Sequence, residues 1–207
     1  MEVEFQVGPR AVADGSENKA RSGRTGELVV GDAHGRYYEP TVRGTVYSAS
    51  VVGQITTVGL ATTYTGLCLS NPVGSGRNLV VNKAGYSFIV AFLAGAHIGL
   101  MTGYNSSTNV THTTPVTPRN QLFAGSSGAG VGLVDSAATL PTAPTVNLIL
   151  GSGLTGAITT IPNTGPQNID LEGSLVLVPG AYVAFYTSTA SGAAAGAFSF
   201  SWEEVAI

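Results

Sequence analysis

From Gly44 onward the chain alternates short runs of apolar, β-branched and aromatic residues with single polar positions, and glycine or proline interrupts nearly every run. Strand side chains point to opposite faces with a period of two, so this pattern predicts half-buried β-strands. Strands are predicted over 46–52 and 54–58, separated by Gly53, then over 67–70, 78–90 and 95–104. A second set follows at 146–150, 157–161, 167–171, 175–178, 182–187 and 198–205. Asn71-Pro72-Val73-Gly74-Ser75-Gly76 and Pro179-Gly180 supply turns. In the last strand Phe198, Phe200 and Trp202 alternate with Ser199 and Ser201, which predicts one aromatic, buried face.

No segment shows the period of an amphipathic helix, and the Ser-, Thr-, Asn- and Pro-rich stretch from Tyr104 to Arg119 reads as a surface loop. The expected fold is all-β, an antiparallel β-sandwich of jelly-roll-like form with an extended N-terminal arm. The 207 residues suffice for one such domain. Its predicted bounds are 44–207, and residues 1–43 form the arm. Within the arm, 15–26 has repeated glycine and no hydrophobic period, whereas 27–39 mixes apolar, aromatic and charged groups suited to specific docking.

Composition sharpens that division. Charged residues make up 10% of the chain, against roughly a quarter in ordinary soluble domains. Thirteen of the twenty-one fall within residues 1–43, leaving eight for the remaining 164. A body so poor in charge is suited to burial against neighbouring subunits. The arm's Arg21, Arg24, Asp32, His34, Arg36, Tyr37, Tyr38, Glu39 and Arg43 are its candidate interface residues, since mixed charges with interspersed tyrosine make partly desolvated, hydrogen-bonded contacts.

Several chemistries find no support. A net charge of −3 offers no basic footprint for nucleic acid or a membrane surface, and no apolar run reaches the length of a membrane span. Glu2 and Glu4 stand where a signal peptide would carry lysine or arginine, so synthesis in the cytoplasm is expected. Cys68, the single cysteine, lies among apolar residues and reads as a small buried hydrophobe. Gly151-Ser152-Gly153-Leu154-Thr155-Gly156 matches a dinucleotide loop, yet the β-branched, proline-terminated 157–162 that follows cannot supply its helix. His34, His97 and His112 stand apart without metal-ligand spacing, no nucleophile elbow occurs, and the close carboxylates Asp170 and Glu172 read as a solvated strand face. No catalytic residue, cofactor or metal is expected.

Four stretches carry a resemblance: 26–39, 43–49, 69–79 and 198–205. Together they resemble a group of tailed-bacteriophage virion structural proteins, and the likeness spans nearly the whole chain. It implies a virion component without a catalytic motif. The function expected on that basis is a capsid decoration (cement) protein, a homotrimer on the capsid surface, whose arm threads between copies of the major capsid protein and whose body stabilises the head shell. The alternative is a head-fibre or tail-side module that binds the host surface through residues 103–120, with Tyr104, Asn105, Asn109 and His112 as candidate contacts. A polysaccharide-degrading or cupin-type enzyme is a third class, disfavoured by the missing metal ligands.

Overall fold

The structure, a computed structural model, describes residues 35–54, 56, 60–88, 92, 94–122, 124, 130–153, 167–190 and 196–207. Among them run eleven strands: β1 (Val46–Gln54), β2 (Thr63–Ser70), β3 (Arg77–Phe88), β4 (Ala96–Tyr104), β5 (Thr111–Val116), β6 (Arg119–Asn120), β7 (Leu133–Thr139), β8 (Thr145–Gly153), β9 (Gln167–Leu177), β10 (Ala181–Thr187) and β11 (Gly196–Ala206). They form two antiparallel sheets packed face to face, so the chain is an all-β sandwich, as its hydrophobic alternation predicts. One sheet has five strands in the order β6-β1-β11-β3-β9, and the other six in the order β5-β7-β2-β10-β4-β8.

The pairing folds the chain back on itself. β1 pairs with β11, β2 with β10, β3 with β9 and β4 with β8, so the ladders nest about a midpoint between β4 and β8. Strands β5, β6 and β7 fill that midpoint and widen both sheets on one side, β7 adding to β2 and β6 to β1.

Between the sheets, Leu67, Leu69, Ile98, Leu100, Val183 and Phe185 of one layer meet Leu79, Val81, Phe88, Phe198, Phe200 and Trp202 of the other. The Phe185 ring has its centroid 4.7 Å from those of both Phe198 and Phe200. Burying a side chain of this size contributes about 1.5–3 kcal/mol, so this aromatic stack helps to tie the two layers together. The predicted aromatic face of the last strand is therefore the inner face of β11, in the middle of its sheet.

Several boundaries differ from the sequence pattern. Gly53, at φ 72°, lies inside β1 at a register shift and does not end the strand. The predicted strands 167–171 and 175–178 are one strand, β9, which passes a corner where Glu172 and Gly173 take φ of 52° and 78°. The polar stretch expected as a loop after Tyr104 contains β5 and β6, and β7 had no predicted counterpart. β8 continues through Gly151-Ser152-Gly153, so the first half of the glycine motif is strand backbone. The predicted strand 157–161 lies outside the described residues. A helix, α1 (Tyr38–Val42), occupies one turn that is too short to show a period.

The chain divides into two units at Glu39 and Pro40, four residues before the predicted start of the body at Gly44. The predicted arm, 1–43, lies largely outside the described residues, including Arg21, Arg24, Asp32 and His34. Of its candidates that are described, Arg36, Tyr38, Glu39 and Arg43 are exposed and Tyr37 is half-buried.

Candidate functional site

Charge is segregated between the two sheets. Of the eight charged residues from Gly44 onward, Arg77 and Lys83 lie on β3, Arg119 on β6, Asp170 and Glu172 on β9, and Glu203 and Glu204 on β11, all in the five-stranded sheet. The eighth, Asp135 on β7, is fully buried. The described surface of the six-stranded sheet and its loops thus carries no lysine, arginine, aspartate or glutamate, only the exposed His97 and His112.

The outer face of this sheet is nevertheless built. Strand alternation that sends Leu67, Leu69, Val183 and Phe185 inward sends Cys68, Tyr182 and Ala184 outward, where they form a second buried cluster with Tyr64 and Met101. Val110 and Leu140, from flanking loops, complete it. The Tyr182 ring lies over Gly103, where any β-carbon would collide with the phenol, and its hydroxyl donates to the Thr142 carbonyl at 2.5 Å. Burial pushes the Tyr182 and Tyr64 phenols above their ordinary values.

At the β5 side of that face Asp135 takes a 2.5 Å hydrogen bond from His112 Nδ1, and Cys68 and Pro115 flank it across the ladders. Burial raises the carboxyl's pKa, while the bond and charge of His112 act against the shift. The Cys68 thiol is pushed up by burial first and by the Asp135 charge second, so it is held as a thiol and lacks the thiolate that nucleophilic chemistry needs. A groove lined by Pro115, Pro118, Leu133 and Val134 runs beside the pair. On the five-stranded sheet a second depression is lined by Ser50, Ser87, Asn168 and Ser199. Among the described residues no group of three or more histidine, cysteine, aspartate or glutamate side chains could hold a metal.

The candidate loop contacts part company. Tyr104, at the end of β4, is 55% exposed. The Asn105 carboxamide oxygen accepts from the amides of Ser107 and Thr108, and that of Asn109 from the Val73 amide at 2.7 Å. These two side chains stiffen the loop, and His112 is held by Asp135, so of the four only Tyr104 presents a bare ring.

No family model, curated protein or solved structure matches the chain. Among its described residues the face of the six-stranded sheet loses little when a partner displaces its water, since no lysine, arginine, aspartate or glutamate has to be desolvated. The pattern that sequence reasoning missed is the assignment of charges to sheets. Its signal was present as a stretch from Ala84 to Asn168 whose only charges are Arg119 and Asp135, but it gains meaning only once the strand order is known.

Proposed function

We propose that this chain is a structural component of a tailed-bacteriophage virion, a decoration protein that self-associates as a homotrimer and stabilises the head shell. Residues 1–43, with their thirteen charges, dock between copies of the major capsid protein. The observation that carries the reading is the split of charge: an ion-rich leading segment is joined to a body whose six-stranded face has, among the described residues, no lysine, arginine, aspartate or glutamate at its surface. The nested pairing supports a jelly-roll winding for the body, because the four pairs β1-β11, β2-β10, β3-β9 and β4-β8 form one long hairpin rolled across both sheets.

A decoration protein needs no active site. Its effect is added buried area, about 800 Å² per partner at roughly 25 cal/mol/Å² before association is offset, repeated over the shell. Deleting residues 1–43 should leave a soluble oligomer that no longer sediments with capsids. Normal co-sedimentation of the truncated chain would end the docking role.

The exposed Tyr104 ring, set on a loop stiffened by Asn105, favours a second reading as a head-fibre or tail-side module that contacts the host surface. Adsorption of the purified protein to host cells, abolished by Tyr104→Ala, would select it.

A further inference from the structure

Among the described residues the sandwich has four edge strands, and three of them carry features that block further pairing. β9 bears Asp170 and Glu172 and turns a corner at the latter. β6 is two residues long, starts at Arg119 and follows Pro118. β5 contains Pro115 and slips register twice against β7.

β8, Thr145–Gly153, has neither charge nor proline over nine residues. Two register shifts against β4 distribute its apolar groups around the edge. Val146 and Ile149 sit opposite Met101 and Gly99 on the outer face, while Leu148 sits opposite Leu100 on the other. Ile149 is 53% exposed, Leu148 40% and Val146 39%, so this edge presents branched aliphatic surface in both directions.

We infer that the β8 edge lines the rotation axis of the oligomer and packs against the same edge of another copy of this chain, an inference that rests on the self-association proposed above. Around an axis, identical side chains meet their own copies, so a charged patch would face its like and only an uncharged one can close. Of the edge strands among the described residues β5 and β8 meet this condition, and Pro115 with the two register shifts sets β5 aside. Nine residues at about 3.3 Å each give the edge a length of about 30 Å, and a single sheet layer is about 10 Å thick, so the strip covers about 300 Å². It is the centre of the contact, and the uncharged loops of the same sheet supply the remainder of the ~800 Å² per partner of a standard interface.

The test compares the full-length chain with Leu148→Lys and Ile149→Lys by light scattering on a sizing column, with Val52→Lys on β1 as an exposed control. The unsubstituted chain and the control are expected to share one oligomeric mass. The two β8 variants should elute as monomers with unchanged far-ultraviolet dichroism. A separate variant, Ile149→Cys, should form an intermolecular disulfide on mild oxidation, and it decides the matter if either lysine variant misfolds. The inference is overturned if both lysine variants keep the oligomer, if Ile149→Cys does not cross-link, or if the unsubstituted chain is itself a monomer. Capsid co-sedimentation separates the two ideas: a chain that still binds capsids with its β8 contact disproved sinks this inference alone, and one that is monomeric and fails to bind sinks the decoration reading with it.

Discussion

His112 donates through Nδ1 to Asp135 Oδ2, and the other oxygen of that buried carboxylate, Oδ1, has no partner. Asp135 therefore sits with half its hydrogen-bonding capacity unmet, and burial raises its pKa above the unfolded value. A raised folded pKa means that the native state holds the proton more tightly than the unfolded chain. The stability associated with this group is thus greatest at acid pH and declines as pH rises through the folded value. Asp135→Asn should abolish that component: at pH 7 the variant should lie within about 1 kcal/mol of the parent or above it, and its urea midpoint should vary less as pH rises from the ordinary carboxyl value of 3.8 to neutrality. A parent whose stability climbs over that interval relative to the variant would contradict the argument.

The second buried carboxylate has the opposite character. Glu204 accepts from the amides of Val131 and Gly132 at 2.9 Å and from Trp202 Nε1 at 3.3 Å, which ties the segment before β7 to the end of β11. Alanine at this position strands two buried donors, Gly132 N and Trp202 Nε1, each costing about 1–3 kcal/mol without a partner, besides the half-buried Val131 amide, so Glu204→Ala should lose at least about 2 kcal/mol. Glu204→Gln keeps one acceptor oxygen and should fall between parent and alanine. Urea unfolding of both, with tryptophan fluorescence as the probe at Trp202, tests the order.

Asn71 supports a third comparison. Its amide nitrogen donates to the carbonyls of Arg77 and Leu177 at 2.8 Å, fastening the turn after β2 to the start of β3 and the end of β9. Removing both bonds in Asn71→Ala should cost about 2 kcal/mol. Asn71→Asp should be worse, because it turns a carboxylate toward two carbonyl oxygens. Thermal melts that rank aspartate above alanine would show that the donors are not what holds this corner.

The strands legible in the sequence are those whose apolar runs are bounded by turn residues, the edge strands β8 and β9 among them. β11 announces itself because a central strand buries one face along its length, and Phe198, Phe200 and Trp202 register that directly. β7 did not: Leu133-Val134-Asp135-Ser136-Ala137-Ala138-Thr139 is buried on both faces, against Val134's core on one side and Ala138's cluster on the other, so small residues replace the alternation. β5 is exposed along nearly its whole length, and Thr111-His112-Thr113-Thr114-Pro115 reads as loop because the neighbour that makes it a strand is β7. The site follows the same rule. Tyr104 was legible as an exposed aromatic after a strand, whereas the link from His112 to Asp135 spans 23 residues and exists only through the β5-β7 ladder.

The fourth prediction concerns the independence of the body. Every residue in the two hydrophobic clusters described lies between Val46 and Trp202. Removing residues 1–43 takes away the Pro40 carbonyl that accepts from the Thr45 amide at 3.1 Å and from Thr45 Oγ1 at 3.0 Å, together with the Thr41 carbonyl that accepts from Gly44. All three bonds are at the margin of β1, where water can replace a lost partner, so their loss should cost only about 1–2 kcal/mol. The truncated chain should still unfold cooperatively with an almost unchanged urea m-value, since the surface buried by the sandwich is retained. A truncated chain that melts without a cooperative transition would mean that the leading segment belongs to the folding unit, and a loss of capsid binding on its deletion would then no longer speak for docking.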